Sequence, residues 1–293
     1  MPTGLNTTGT LTQALDSVTD AGRVIRPFAN VMGKYVDMRR LESNTGLKFD
    51  EVALSQLTAS NITETSDLEQ NPQQLVSSLF QIEPILIGMS VFKSDLLDMR
   101  ISKKVAAEIG QLTEMALAHK KDVDQVAAAQ TASTDLGTAG NPMSASLVSA
   151  AVSRIRGNST EHWDGPVAVV MRTFQLKDIQ DEGVAGFGTY PVSGGVTEEF
   201  MRRGFAGTLF GADIVTDDNI SVDSADDAIA FAFASGTGGA IVHVEGMSAK
   251  RSVVRKENIG AGGEYLYAVD QYGLGVRQQA QLFAITADSS VPA

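Results

Sequence analysis

The sequence predicts an α+β fold in which one long helix is flanked by segments rich in β-strand. The stretch 94–133 contains no proline and a single interior glycine, and apolar residues recur in it at helical spacing. Two strand-like segments precede this stretch, and several apolar strand-like runs follow it. At 1.5 Å per residue, such a helix would span roughly 50–60 Å, which is longer than a compact domain of this size needs. We therefore expect the helix to be the long axis of an extended subunit.

Composition narrows the class of protein. The 293 residues suffice for one large domain or two ordinary ones, and a hydrophobic content of 43% is normal for a fold with a sizeable core. We expect neither a transmembrane helix nor a signal peptide, because no long apolar run occurs and the N-terminus is polar. The chain has no cysteine, which excludes disulfides and thiolate metal sites. A net charge of −12 disfavours bulk electrostatic binding of nucleic acid, although a locally basic surface could contact it.

The first 45 residues are predicted to form an arm rather than a globular unit. Small and polar residues dominate its start, and its apolar area is too small to offset the entropy lost on ordering. A floppy terminus is the alternative interpretation. The arm would become ordered only against another surface, such as a neighbouring copy of the chain.

A two-stranded hairpin follows the arm. Residues 46–57 alternate as a strand, 58–74 form a polar, acidic tip, and 75–91 return as a strand that is broken at Pro84. A lone hairpin is marginally stable in water, so we expect it to pack on another subunit. The acidic tip could face a basic surface there, or could simply be solvated. Its carboxylates are Glu64, Asp67 and Glu69.

The long helix has one predicted apolar stripe and a predicted start. Ser94 and Asp95 supply an N-cap and a carboxylate in the first turn. Gly110 is a candidate position for a kink. We expect the stripe to pack on the closing β segments of the chain. It consists of Leu97, Ile101, Val105, Ile109, Leu112, Ala116, Val123 and Ala127.

The remaining residues predict a compact α/β unit and closing strands. A helix at 143–155 is followed by a buried strand at 167–171 and by a helix at 172–182, with Phe174, Leu176 and Ile179 directed inward. The later segments are a glycine-rich loop (183–195), a strand (206–215), a segment ambiguous between strand and helix (225–234), a turn (235–239), and strands at 241–244, 253–254, 264–270 and 273–285.

The three histidines do not form a predicted metal site. No two of them lie within ten residues of each other in the sequence. His119 is expected to be a core or interface residue, and His243 alternates within a strand. His162 lies in a polar loop beside Trp163, which we interpret as a packing anchor. No zinc or calcium motif occurs, so we predict no metal ligands.

Catalytic motifs are equally absent. There is no GxSxG, Walker A loop or GxGxxG after a strand, and the glycine-rich stretches 236–239 and 260–263 are interpreted as loops. Some acidic residues are direct neighbours in the chain, so their side chains should point apart instead of forming an acid/base pair. Examples are Asp181-Glu182, Glu198-Glu199, Asp217-Asp218 and Asp226-Asp227. We predict no catalytic or cofactor-binding residue, and a structural protein instead of an enzyme.

The order of the elements resembles the HK97-type major capsid protein of tailed double-stranded DNA phages. The stretch FQIEPILIGMSVFKSDLLDMRI and the later DVDQVAAA look like the beginning and end of that family's spine helix. RRGFAGTLFGADIVTDDNI looks like its glycine-containing strand of the axial part. EYLYAVDQYGLGVRQQAQLFAI looks like its C-terminal segment, with a Tyr-Gly-Leu-Gly turn before an apolar final strand. The pattern is most similar to the T7-like group.

This resemblance implies a division of the chain and a function. Residues 1–45 correspond to the N-arm, 46–90 to the E-loop that overlaps a neighbouring subunit, and 91–139 to the peripheral domain with the spine helix. Residues 140–239 correspond to the axial domain, and 240–293 return to the peripheral domain. The implied function is self-assembly into hexamers and pentamers of an icosahedral phage capsid that encloses double-stranded DNA. An isopeptide crosslink is not predicted, although Lys48 and many asparagines are present.

The implied partners are further copies of the chain, a separate scaffolding protein, a portal protein and non-specifically contacted double-stranded DNA, with a cement or decoration protein left open. No membrane partner is expected, and the implied location is the virion capsid, assembled in the host cytoplasm. Two alternatives stay open at this point. One is an encapsulin-like nanocompartment shell, which the Thr- and Gly-rich start disfavours. The other is a soluble α/β enzyme using Arg172, Asp178 or His162.

Overall fold

The computed structural model describes residues 31–41, 47–59, 61, 74–95, 103–187, 207–259 and 262–292. Within these ranges the chain forms three α-helices and eleven β-strands. The helices are α1 (Lys103–Ala129), α2 (Ala145–Arg156) and α3 (Thr173–Phe187). The strands are β1 (Asp37–Arg40), β2 (Phe49–Leu54), β3 (Ser77–Ile82), β4 (Ile85–Ser94), β5 (Val167–Met171), β6 (Thr208–Leu209), β7 (Ala212–Thr216), β8 (Asp227–Ala234), β9 (Ile241–Lys256), β10 (Gly263–Val276) and β11 (Leu282–Asp288).

The main core surrounds a five-stranded sheet with the strand order β11-β8-β5-β7-β6. All five residues of β5 are buried, as its continuous apolar run predicts. Helix α2 begins after Ser144, whose hydroxyl accepts a hydrogen bond from the Leu147 amide. The face that α2 buries is made of Val148, Ala151, Val152 and Ile155. Helix α3 buries Leu176 and Ile179 as predicted, and Phe174 is half-buried.

A four-stranded sheet, β1-β9-β10-β4, lies under the long helix. The hydroxyl of Tyr272 on β10 donates a hydrogen bond of 2.6 Å to Asp124 of α1. The ammonium of Lys121 lies 2.7 Å from Asp270, also on β10. The predicted packing of the helix on the closing strands is therefore confirmed. Helix α1 has 27 residues and spans about 40 Å; the start predicted at Ser94 adjoins residues outside the described ranges.

The buried face of α1 differs from the predicted apolar stripe. Leu112 is 39% exposed and Ala127 is exposed, whereas Asp122 and Gln125 are buried. The stripe prediction is therefore wrong at Leu112 and Ala127. The reason is that polar groups face α1 at its two buried polar residues. Gln125 contacts His243 of β9, and Asp122 accepts hydrogen bonds from the Val31 and Met32 amides.

Several strands also differ from the prediction. Residues 206–215 do not form one strand: β6 and β7 are joined by a tight turn in which Phe210 (φ 53°) and Gly211 (φ 76°) are left-handed. The ambiguous segment 225–234 contains a strand, β8. The strands predicted at 241–244 and 253–254 are parts of one continuous strand, β9. The strands predicted at 264–270 and 273–285 divide differently, because β10 continues to Val276 and β11 begins at Leu282.

The end of the chain is shared between the two larger sheets. The predicted Tyr-Gly-Leu-Gly turn is wrong, because residues 272–275 lie inside β10. After β10 a 3-10 turn leads to β11, which pairs with β8 in the five-stranded sheet. Strands β9 and β10 thus lie in the sheet under α1, whereas β11 completes the five-stranded sheet. The assignment of 240–293 to one domain stays a prediction.

Candidate functional site

Strands β2 and β3 form the predicted hairpin, and its two faces have different surroundings. The register places Val52 opposite Leu79 on one face, and Glu51 opposite Phe80 on the other. Because alternate residues of a strand point to opposite faces, each face carries a distinct set of side chains. Phe80 and Glu51 are half-buried against the body of the subunit, whereas Val52 and Leu79 are 60% and 63% exposed.

The inward face packs closely on β10 at the root of the hairpin. Ile82 is 4% exposed and packs with Val242 and Val244 of β9. A Cβ added at Gly273 would lie 2.5 Å from Ile82 Cγ2, and one added at Gly275 would lie 2.8 Å from Phe80 Cζ. Both distances are shorter than carbon atoms tolerate. Glycine at these two positions is therefore what allows the hairpin root to lie directly on the strand.

An ion-pair network centred on Arg277 holds the same root. The Nη2 of Arg277 lies 3.0 Å from Asp37 of β1 and 2.7 Å from Glu51 of β2. Its Nη1 donates to the carbonyl of Gly239, while Asp37 also accepts from the Gly238 amide. Arg277 and Asp37 are 9% and 3% exposed, so the pair is largely desolvated. The network joins β1, the hairpin, the turn at 238–239 and the end of β10 through one guanidinium fork.

The outward face of the hairpin carries exposed apolar side chains that no described residue covers. Val52 and Leu79 are directly opposite each other, and further apolar side chains extend the surface toward the tip. Their exposed fractions lie between 54% and 66%. Contiguous exposed apolar area of this kind is typical of surfaces that contact another protein. Among the paired residues, the outward face carries Val52, Leu54 and Leu79 beside the polar Asp50, Ser77 and Gln81; Leu57, Leu75 and Val76, beyond the paired strands, are exposed as well.

His243 belongs to the contact between α1 and the sheet. It is fully buried, its Nδ1 lies 3.0 Å from the Gln125 amide nitrogen, and its ring stacks on Tyr272 at 5.2 Å between centroids. Burial and the nearby Lys121 ammonium lower the pKa of His243 to about 4. The imidazole is therefore neutral at physiological pH and holds the helix on the sheet.

The other residues that the sequence singled out have local structural partners. His162 is exposed with Nε2 2.6 Å from Asp164, and Arg172 Nε lies 3.9 Å from Asp218. Asp178 accepts a hydrogen bond from the Met143 amide. Burial raises the pKa of Asp178 and outweighs the opposite effect of this bond. No hydrogen bond or ion pair joins Arg172, Asp178 and His162 to one another in the described part of the chain.

Trp163 is a packing anchor, as predicted: its indole nitrogen donates a 2.8 Å hydrogen bond to the carbonyl of Pro166. The imidazole Nδ1 of His119 is buried without a hydrogen-bond partner among the described groups.

Stretch 236–239 is a turn whose Gly236 amide donates to the carbonyl of Tyr35. The predicted pair Glu198-Glu199 and part of stretch 260–263 lie outside the described residues.

Asp217 and Asp218 diverge, as expected for adjacent residues. Asp217 is 2% exposed and faces Asp122 of α1, whereas Asp218 accepts hydrogen bonds from the amide and hydroxyl of Thr173. Within the described ranges, no group of three or more His, Asp or Glu residues is arranged to hold a metal ion. In the same ranges, no helix is long and apolar enough to cross a membrane.

The Arg277 network is what sequence reasoning missed. Its members are separated by 226 and 240 positions along the chain, and none of them belongs to a recognisable motif. The one available signal was indirect. Asp37 is an acidic residue at the start of an otherwise unremarkable short strand, and Arg277 directly follows a glycine-containing strand.

Comparison with known proteins identifies the fold. No protein-family model matches the sequence, and no curated protein matches it. Solved structures do match. A chain in the capsid structure of the cyanophage P-SCSP1u is 16% identical with a TM-score of 0.67, and the match covers 99% of both chains.

Two further capsid structures match to a similar extent. The capsid of Ralstonia phage GP4 is 11% identical with a TM-score of 0.69, covering 96% of this chain and 97% of that one. The acidic stable capsid of Helicobacter pylori bacteriophage KHP30 is 13% identical with a TM-score of 0.68, covering 99% and 100%. The chain therefore has the fold of these phage capsid chains, and the predicted HK97-type α+β fold is confirmed.

Proposed function

We propose that this chain is a structural subunit that assembles into the hexamers and pentamers of an icosahedral phage capsid enclosing double-stranded DNA. The observation that carries the proposal is the group of exposed apolar side chains on the outward face of the hairpin, which no described residue covers. Burying it against neighbouring copies would supply the free energy of association, because removal of apolar area from water stabilises contacts. The likeness to phage capsid chains over nearly their whole length supports this role.

The division of the chain forms part of the proposal. Residues 1–45 would be the arm, 46–90 the E-loop, 91–139 the peripheral domain with its spine helix, and 140–239 the axial domain. Residues 240–293 would return to the peripheral domain, except that β11 belongs structurally to the sheet of the axial part. The T7-like affiliation stays a prediction.

The proposed partners follow from a shell subunit of this kind. They are further copies of the chain, a separate scaffolding protein, a portal protein and packaged DNA that is contacted without sequence specificity, and the location is the virion capsid. The role is structural rather than catalytic. No observation on the described residues favours the enzyme or the encapsulin-like alternative.

Leu79→Asp on the outward face tests the proposal. Full burial of a leucine stabilises by about 1.5–3 kcal/mol, so covering the 63% of Leu79 that is exposed is worth about 1–2 kcal/mol per contact. Removing this term, and adding a carboxylate to the contact, should raise the protein concentration needed for assembly at least about tenfold. Light scattering and negative-stain microscopy of purified protein measure this directly.

The matched control is Leu79→Met, which keeps an apolar side chain of similar volume and should assemble like the wild type. Thermal unfolding of the unassembled Leu79→Asp subunit should be close to that of the wild-type subunit, because Leu79 contacts solvent there. Small monodisperse particles without rings, tubes or shells under any condition, for the wild type, would contradict the proposed function.

A further inference from the structure

A pair of buried carboxyl groups joins three separate parts of the fold. Asp122 lies on α1 and is 0% exposed, and Asp217 lies after β7 and is 2% exposed. Asn219 joins the two side chains, because its side-chain amide donates to Asp122 and its backbone amide donates to Asp217. Asp122 also holds the segment that leads from the N-terminal residues to β1. Its Oδ1 accepts hydrogen bonds of 3.0 Å from the amides of both Val31 and Met32.

The described hydrogen-bond donors around the two carboxyl groups leave one oxygen, Asp217 Oδ2, without a donor. Asp122 Oδ2 accepts a 2.6 Å hydrogen bond from the side-chain amide of Asn219, and Asp217 Oδ1 accepts one of 2.9 Å from the backbone amide of Asn219. Asp217 Oδ2 is buried and receives no hydrogen bond from the described protein groups. Two adjacent buried carboxyl groups do not both ionise at low cost, so one proton shared between them satisfies this oxygen.

The charged groups around the pair favour that proton. The negative charges of Asp122 on α1 and of Asp218 in the same loop both disfavour ionisation of Asp217. The guanidinium of Arg172 is directed to Asp218, at 3.9 Å. The segment 31–36 contributes the backbone amides of Val31 and Met32 to the pair. None of its described side chains places a cation in hydrogen-bond contact with the pair. Burial, followed by the adjacent Asp122 carboxyl group, raises the pKa of Asp217 to about 7.

We propose that the Asp122–Asp217 pair is a one-proton latch that fastens the segment 31–36 to α1 and to the β7 loop, and that loss of the proton loosens this attachment. With one proton, the pair is singly charged, and Asp122 accepts from both amides of the segment. Without it, two buried carboxylates repel each other, and their separation moves Asp122 away from its donors. The attachment of the segment 31–36 to α1 thereby depends on pH around neutrality.

The sign of the effect follows from the direction of the shift. The pKa of Asp217 in the folded chain lies above the value of about 3.8 for an unperturbed aspartate, so the folded state retains the proton longer. The latch is closed below about pH 7, and it opens as the pH rises through that value. His243 shifts in the opposite sense in an overlapping range, so the stability of the whole wild-type protein does not isolate the pair.

Hydrogen–deuterium exchange of the peptide covering 31–36 isolates it, because the two amides held by Asp122 lie in that peptide. The full chain is compared at pH 5.5 and 8.5 with EDTA present, after correction for the intrinsic pH dependence of exchange. Wild-type protection should fall at least about tenfold, the equivalent of one pKa unit. In Asp217→Asn, whose amide can donate to Asp122 without titrating, protection should be equal at both pH values. The internal control is the peptide of β8, which should not change in either protein.

A second variant and a cation control separate the alternatives. Asp122→Ala removes the acceptor, so the segment should be unprotected at both pH values. Equal protection of wild-type 31–36 at both pH values would overturn the proposal, as would an Asp217→Asn profile parallel to the wild type. Recovery of wild-type protection at pH 8.5 on adding MgCl₂ or CaCl₂ would overturn the assignment to a proton, because a cation would then occupy the pair. These readouts do not depend on assembly, so they stand or fall separately from the proposed function.

Discussion

Replacing Arg277 by methionine should destabilise the subunit and release the root of the hairpin. The substitution keeps a long apolar side chain and removes the guanidinium that links Asp37 to Glu51. Asp37 is 3% exposed, so its carboxylate would lose its closest desolvated counter-charge while staying buried. The predicted consequence is a lower free energy of unfolding and weaker attachment of β2 to β10.

The structure sets the magnitude. Removing one partner of a buried ion pair costs about 3–5 kcal/mol. Asp37 retains Arg39, whose Nε lies 3.1 Å away, and the amide of Gly238 at 3.1 Å. Arg39 is 42% exposed and compensates weakly. We therefore expect a loss of about 3 kcal/mol, at the lower end of that range. Glu51 is 38% exposed, so Glu51→Gln alone should cost less than about 1 kcal/mol.

Urea unfolding in the Leu79→Asp background measures this, because only unassembled subunits contribute to the transition. The double variant Asp37→Asn with Arg277→Met should be less destabilised than the sum of the single variants, since it leaves no unpaired buried charge. Exchange of amides in β2 should accelerate in Arg277→Met, whereas exchange in β5 should follow global unfolding only. An Arg277→Met subunit within about 0.5 kcal/mol of its parent, or strict additivity in the cycle, would refute the reasoning.

Two further predictions concern backbone contact and pH. Gly110→Ala should stabilise the subunit by up to about 1 kcal/mol, because an added Cβ meets nothing within 4 Å and alanine favours helix. Gly273→Ala should destabilise it by about 1–3 kcal/mol, because the added Cβ would lie 2.5 Å from Ile82. Thermal unfolding of both variants tests this, and equal effects would contradict it. For His243, a folded pKa of about 4 means that wild-type stability falls as the pH drops from 6.5 toward 4. His243→Gln should remove that contribution, so its unfolding free energy relative to the wild type should rise on acidification by up to about 3 kcal/mol; a constant difference would exclude a buried neutral imidazole.

The buried elements were the most predictable from sequence. The continuous apolar run of β5 and the apolar spacing of α2 require burial on specific faces, and both occupy the core. The hairpin was also predictable, because alternation and a polar tip determine a local structure with few long-range terms. The proline at position 84 separates β3 from β4 as expected.

The candidate surface was only partly predictable. The sequence indicated that the hairpin needs a partner, since an isolated ribbon is marginal. It did not indicate which side remains uncovered. A one-residue change of register would exchange Val52 and Leu79 for Glu51 and Phe80 on the outward face, and only packing of Ile82 on the glycines of β10 decides between them.

Sequence alone determined the class of fold, the order of its elements and the absence of recognisable catalytic motifs, because these depend on local periodicity and on residue types. The tertiary structure decided the buried face of α1, the sheet that receives β11, and the two charged clusters around Arg277 and Asp217. Their members are brought together from positions about 90 to 240 residues apart. Desolvated charges are stable only with such distant partners, and local periodicity carries no information about them.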